Sequence, residues 1–149
     1  MVVPNFVRQA LAEQPITVYG DGTQRRCFCH VADVVDAMLG LMDREDVFGE
    51  VFNIGSEEET SIAALAERVR DAAGSDSEIV HVPYDEAYEE GFEDMDRRVP
   101  DLTKIADVAD WRPTRSLDQI IEDVIAYQRA PASHVRGRVM PSRQPYASA

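Results

Sequence analysis

Two adjacent arginines, Arg25 and Arg26, follow the segment Gly20-Asp21-Gly22 and are separated from it by two polar residues. Glycine permits positive φ, so the segment predicts a tight turn. A guanidinium held beside such a turn can bind a phosphate through two parallel hydrogen bonds. Neighbouring residues of an extended chain point to opposite faces, so only one of the two arginines can face a given pocket. The alternative is a surface hairpin that carries two solvated arginines.

The segments on either side of the turn predict the elements that hold these arginines. A short β run at 16–19 precedes the turn, and the alternating segment Cys27-Phe28-Cys29-His30 predicts a strand after it. A helix is expected to open near Asp33 and to run to about residue 43 with an apolar face. We interpret Met38 and Met42 on that face as core residues.

Caps, breaking residues and apolar spacing predict the rest of the secondary structure. The expected elements are a first helix with Pro4 in its first turn and Pro15 at its end, a buried strand at Val51 to Ile54, a helix from Ser61 to Gly74, a strand at Glu78 to Val82, a short helix capped by Asp101, and a last helix capped by Ser116, with Tyr127 on its buried side. Helices and strands alternate, which indicates an α/β protein.

Residues 1–130 are predicted to form one folded unit. Residues 131–149 hold no acid and little apolar content, which predicts a disordered tail.

The composition of the 149 residues excludes several classes of function. The formal net charge of −13 disfavours nucleic acid and anionic membranes as partners. No apolar run is long enough to span a membrane, so we expect a cytoplasmic protein. Lys104 is the one lysine among 15 basic residues, and such an acidic, lysine-poor composition is typical of a salt-adapted (halophilic) proteome. We expect the chain to need salt screening of its carboxylates to stay compact.

The pattern Thr-Val-Tyr-Gly-Asp-Gly-x-Gln-x-Arg-x-Phe-x-x-Val-x-Asp at 17–33 resembles the extended short-chain dehydrogenase/reductase family. These are NAD-dependent epimerases, dehydratases and decarboxylases of nucleotide sugars. Segments 2–6, 51–55 and 97–101 agree in order, and Trp111-Arg112-Pro113 follows them. The resemblance covers residues 1–129 and only the carboxyl-terminal part of the family. It therefore implies the last strand of the Rossmann sheet plus a small substrate-binding subdomain, without the Rossmann core.

The resemblance also implies a set of residues that bind the nucleotide sugar. The loop at 91–100 is similar to that of UDP-glucuronate decarboxylases, in which an aromatic residue at Phe92 packs on the uracil and Arg98 reaches the sugar. Arg98 would then assist decarboxylation by stabilising developing negative charge. Arg26 would bind the diphosphate. The residues implied to bind substrate are Thr17, Val18, Tyr19, Gln24, Arg26, Phe92 and Arg98.

Each of these residues has a simpler interpretation. Arg97 and Arg98 stand among acidic residues and could form ordinary ion pairs. Tyr19 and Phe92 could be plain core residues. Cys27, Cys29 and His30 suggest a metal site, but alternation would place the cysteines and the histidine on opposite faces, so we expect no metal.

The residues that serve NAD in the family are missing from this sequence. No glycine-rich turn links a first strand to a helix, and Lys104 follows Pro100 instead of completing Tyr-x-x-x-Lys. The resemblance implies NAD as the cofactor of the intact family enzyme. Because this chain lacks the residues that serve NAD, we do not expect it to bind NAD alone.

These features predict the substrate-binding part of a nucleotide-sugar enzyme, with a UDP-sugar as the favoured ligand. Two alternatives stay open: a free-standing relic or nucleotide-binding module without catalysis, and a structural partner that completes another subunit. In the family, the strand at 51–54 joins the cofactor domain's sheet, so alone it would leave an unpaired edge and uncovered apolar faces. We therefore expect a missing amino-terminal half or a second copy of the chain as partner.

Overall fold

A computed structural model of the chain describes residues 1–83 and 95–130. The described elements are α1 (Val2–Leu11), β1 (Ile16–Tyr19), β2 (Arg25–Cys27), α2 (Val31–Met42), a 3-10 turn (Glu45–Val47), β3 (Glu59–Ser61), α3 (Ile62–Ala73), β4 (Ile79–Val82), β5 (Arg97–Arg98), α4 (Thr103–Ala109) and α5 (Leu117–Arg129). This mixture confirms the α/β class. The predictions for Phe92 and for the tail at 131–149 lie outside the described residues.

The strands form two small sheets. β1 pairs in parallel with β4, with Ile16 opposite Ile79. β2 is the central strand of the other sheet, between antiparallel β3 and parallel β5. Because β1 and β2 belong to different sheets, the hairpin alternative for the glycine turn is wrong, and the turn instead carries the chain from one sheet to the other.

The main core lies where α1, α3 and α5 pack around β1. Its buried members are Val3, Phe6, Val7, Ala10, Ile16, Val18, Ile62, Leu65, Ala66, Val69, Leu117, Ile121 and Ile125. The predicted caps of two of its helices are confirmed: the Ser61 Oγ accepts from the Ala64 N–H at 3.1 Å, and Ser116 forms a capping box with Gln119. Gly74 ends α3 in the left-handed conformation. No helix of the described residues is long and apolar enough to cross a membrane.

Helix α2 buries a different face from the one predicted. Met38 and Met42 were expected in the core but are 52% and 68% exposed. The helix packs instead through Ala37, which joins Leu102 and Ile105 in a second, smaller core. Apolar spacing correctly predicts a helix here, but the described residues leave both of its methionines exposed.

Two predicted strands are also corrected. Residues 51–54 pair with no strand among the described residues and so form no strand, and Val51 is 81% exposed instead of buried. The segment 28–30 lies beyond the end of β2. His30 instead caps α2, with its Nδ1 accepting from the Ala32 N–H at 3.0 Å. Tyr127 on α5 is exposed and does not belong to the buried side of that helix.

We expect Gly22→Ala to destabilise the chain more than Gly49→Ala. Both glycines have positive φ (73° and 84°), so both substitutions carry a conformational cost of about 1 kcal/mol. A Cβ at residue 22 would also lie 2.9 Å from the Ala63 Cβ and the Val18 Cγ1, whereas nothing lies near residue 49. The added overpacking is expected to lower the free energy of unfolding by a further ~1–3 kcal/mol. Urea denaturation of the two variants measures the difference, and equal losses would contradict the packing role of Gly22.

Candidate functional site

A cleft of about 570 Å³ opens between the amino-terminal end of α1, the end of β1 and the strands β2 and β5. Five side chains predicted from the sequence line it together, although residues 17–26 and residue 98 are far apart along the chain. These are Thr17, Tyr19, Gln24, Arg26 and Arg98. These five residues thus bring two guanidinium groups together with one phenol, one hydroxyl and one amide.

Arg26 and Arg98 are direct neighbours across the β2–β5 ladder. The preceding residues, Arg25 and Arg97, are also register partners, and successive side chains of a strand point to opposite faces. Arg25 and Arg97 both bind the carboxylate of Glu59, whereas Arg26 and Arg98 line the cleft. Alternation therefore places Arg25 and Arg97 beside Glu59 and places Arg26 and Arg98 at the cleft.

Hydrogen bonds of ordinary length hold Thr17 and Gln24 in the cleft. Gln9 on α1 donates from Nε2 to the Thr17 Oγ1 at 3.0 Å, and its Oε1 accepts from the Thr17 N–H at 3.2 Å. Gln24 donates from Nε2 to the Tyr19 carbonyl at 3.0 Å. Tyr19 is 39% exposed, so it is not the plain core residue of the alternative interpretation. The side chain of Val18 is fully buried in the core, so the prediction that Val18 binds substrate gains no support from its side chain.

Seven further lining residues were not predicted from the sequence. They are Met1, Val2, Asn5, Phe6, Cys27, Phe28 and Ile62. The segment 2–6 carries part of the family resemblance, and Asn5 is its polar member, which is the signal that could have drawn attention to it. Helical spacing alone does not tell which end of α1 meets the cleft.

The cysteines and His30 are engaged in ways that do not gather them into one centre. Burial raises the pKa of both thiols, with Glu59 adding to the effect at Cys27 and Asp33 at Cys29. His30 uses Nδ1 to cap α2, and its Nε2 lies 3.2 Å from the Asp123 Oδ2. Within residues 1–83 and 95–130, no group of three or more His, Cys, Asp or Glu side chains could hold a metal ion.

The glycines of the turn do not fit a dinucleotide. A cofactor pyrophosphate needs a glycine-rich turn that leads from a strand into a helix N-terminus. Gly20 and Gly22 instead connect the strands β1 and β2. Gly22 is packed against Ala63, whose N–H donates to the Gly22 carbonyl at 3.0 Å, so its backbone is not open to a ligand.

Comparison with known proteins defines the family. The GDP-mannose 4,6-dehydratase family model matches residues 1–124. A UDP-N-acetyl-alpha-D-glucosaminuronate decarboxylase of Bacillus cytotoxicus is 43% identical over 128 residues, which are 86% of this chain and 40% of that protein. The structure of a Thermotoga maritima UDP-glucose 4-epimerase with UDP-glucose is similar with a TM-score of 0.76 and 31% identity, over 87% of this chain and 39% of that one. A Bacillus cereus UDP-glucuronic acid 4-epimerase, solved with UDP-glucuronic acid and NAD, shares the fold with a TM-score of 0.74 at 24% identity, over 86% and 40%.

The chain belongs to the NAD-dependent epimerase/dehydratase family. This confirms the resemblance, including the expectation that enzymes of the family bind NAD. The chain spans about 40% of the length of the Bacillus cytotoxicus relative, so it corresponds to one portion of the family fold.

Proposed function

We propose that this chain is the nucleotide-sugar-binding portion of an NAD-dependent epimerase, dehydratase or decarboxylase, in which Arg26 binds the diphosphate and Arg98 beside it reaches the sugar. The observation that carries the proposal is their pairing across the β2–β5 ladder at the wall of the cleft. A guanidinium group binds phosphate oxygens through paired hydrogen bonds, which suits Arg26 to the diphosphate, and its neighbour Arg98 is then close to the sugar that the diphosphate carries.

The charge of the rest of the chain makes these arginines selective. At a formal net charge of −13, the molecule as a whole repels anions. An anionic ligand is therefore attracted only where cationic groups are concentrated, as they are along β2 and β5. The relatives support a UDP-sugar as the ligand, because the Bacillus cytotoxicus and Thermotoga maritima proteins are named for UDP-sugars.

Arg98 is proposed to assist the chemistry as well as binding. Its guanidinium is too basic to act as a general acid, so its role is to stabilise negative charge that develops on the sugar. Hydride transfer is not assigned to any residue of this chain, because the glycines of its turn do not fit NAD.

The chain is proposed to act together with the portion of the family enzyme that it does not contain. An apolar stripe on α2 supports this proposal, since each member lies three or four residues from another member and all are exposed. We call this set the α2 stripe: Val31, Val35, Met38, Leu39 and Met42. Apolar stripes of this kind mark interaction surfaces.

Calorimetric titration of the full chain at high salt, with UDP and separately with NAD, tests the site. We expect UDP to bind and NAD not to bind. Arg26→Ala is expected to weaken UDP binding about tenfold or more, because hydrogen bonds to charged groups contribute about 1.5–3 kcal/mol each.

The matched control is Arg70→Ala. Arg70 lies on α3, pairs with Asp71 and does not line the cleft, so its replacement removes the same charge without touching the site. Equal weakening by both substitutions would show a general charge effect and contradict the diphosphate site. A failure of wild type to bind UDP would reject binding by the chain alone, and would favour the relic or the dependence on the absent portion.

A further inference from the structure

Strand β5 has little of its own to hold it in place. It consists of Arg97 and Arg98 only, and both residues are exposed. Its ladder with β2 covers two register pairs, supplemented by the Arg25 N–H, which donates to the Asp96 carbonyl at 2.7 Å. A two-residue parallel ladder provides few hydrogen bonds, and both of its register pairs place like charges side by side. Further contacts are needed to hold Arg98 at the cleft.

Glu59 makes contacts of that kind across the whole sheet. It lies on β3, at the opposite edge from β5, and its side chain is only 18% exposed. Its Oε2 accepts from the Arg97 Nε at 2.7 Å, and its Oε1 accepts from the Arg25 Nε. One carboxylate thus connects all three strands on the face away from Arg26 and Arg98.

The charge of Glu59 fits this arrangement. Removal of the Glu59 carboxylate from solvent would raise its pKa. Hydrogen bonds from Arg25 and Arg97 outweigh that effect and lower the pKa of Glu59 overall. Glu59 is therefore ionised at neutral pH. It offsets the repulsion between the guanidinium groups of Arg25 and Arg97 on its own face of the sheet.

We infer that Glu59 is a positioning residue, which binds Arg25 and Arg97 and thereby holds β5 in register so that Arg98 stands beside Arg26 at the cleft. This inference rests on the proposed function, because it names what keeps Arg26 and Arg98 together at the proposed nucleotide-sugar site. Glu59 itself is not among the residues that line the cleft.

Amide hydrogen exchange of the full chain tests the inference without any ligand. In Glu59→Gln we expect exchange to become severalfold faster in peptides that cover 95–100, while peptides from α3 and α5 stay unchanged. Arg97→Gln removes the same contact from an exposed position and is expected to have the same local effect even if Glu59→Gln folds poorly. Glu57→Gln, an exposed glutamate two residues away, is the control and should leave exchange at 95–100 unchanged.

A double-mutant cycle with UDP distinguishes positioning from general structural damage. Glu59→Gln is expected to weaken UDP binding about fivefold in the wild-type background. In the Arg98→Ala background it should weaken binding less than twofold, since the side chain through which it acts has gone. Equal effects in both backgrounds would overturn the inference, because damage to the fold adds to the loss of Arg98.

The hydrogen-exchange experiment and the UDP-binding experiment distinguish a failure of this inference from a failure of the proposed function. If wild type does not bind UDP, the proposed binding by this chain fails and the exchange result alone decides the role of Glu59. Unchanged exchange at 95–100 in both Glu59→Gln and Arg97→Gln overturns the inference whether or not UDP binds.

Discussion

Asp33→Ala is expected to lower the free energy of unfolding by about 3 kcal/mol, at the lower end of the range for breaking a buried charged pair. Asp33 is 1% exposed and lies in the first turn of α2. Its carboxylate accepts from the Thr114 hydroxyl at 2.8 Å, from the Arg115 N–H at 3.2 Å and from the Arg115 guanidinium at 2.6 Å. Its removal would leave these donors without their acceptor and would separate α2 from the segment that leads into α5.

Conservative variants separate the charge from the hydrogen bonds. Asp33→Asn keeps an acceptor for Thr114 but loses the ion pair with Arg115, so we expect a smaller loss than for alanine. Asp36→Asn, on an exposed position of the same helix, is the control and should change stability by less than about 0.5 kcal/mol. Urea denaturation provides the comparison, and equal stability of Asp33→Ala and Asp36→Asn would contradict the linking role of Asp33.

The stability contributed by Asp33 is also expected to depend on pH. Burial would raise the pKa of the carboxyl, but the hydrogen bonds from Thr114 and Arg115 outweigh it and lower the pKa in the folded state. The contribution is then fully present above the unfolded pKa of about 3.9 and is lost as the pH falls through the folded value. Denaturation between pH 3 and 7 should show that the stability difference between wild type and Asp33→Asn narrows in acid. A constant difference would show that Asp33 has the same pKa in both states.

Local signals in the sequence predicted the helices well. Ser61, Ser116 and Gly74 act through atoms within four residues of themselves, so their caps follow from the sequence next to them. The strand expected at Glu78 to Val82 is observed at Ile79–Val82, and Arg26 and Arg98 line one cleft, while their binding of substrate stays a prediction. In the second case the likeness to a family, and not the pattern alone, placed residues 26 and 98 together.

The errors arose where the partner of a residue lies far away along the chain. Glu59 is 34 residues from Arg25 and 38 from Arg97, and nothing near either arginine indicates that it is their partner. Likewise, periodicity predicts that α2 has an apolar face but not which surface covers it. Strand propensity at 51–54 fails for the same reason, because a strand requires a neighbour that the described residues do not supply.

Because the side chains of the α2 stripe are apolar and exposed, we expect the isolated chain to self-associate through this surface. Burying an apolar side chain contributes roughly 1.5–3 kcal/mol, so losing two from an interface weakens it considerably. We expect Met38→Gln with Leu39→Gln to raise the concentration of half-association about tenfold or more, as measured by sedimentation. Tyr127→Gln, at an exposed aromatic residue on α5, is the control for a general loss of apolar surface.

Salt should strengthen this association, which distinguishes it from pairing by charge. Two copies that each carry a formal net charge of −13 repel one another, and screening by salt weakens that repulsion while leaving apolar contact intact. Glutamine substitutions keep the net charge, so any difference between wild type and the double variant comes from the α2 stripe itself. A wild-type chain that stays monomeric at all concentrations in high salt would show that the stripe does not drive self-association. Only the absent portion of the family enzyme would then remain as its proposed partner.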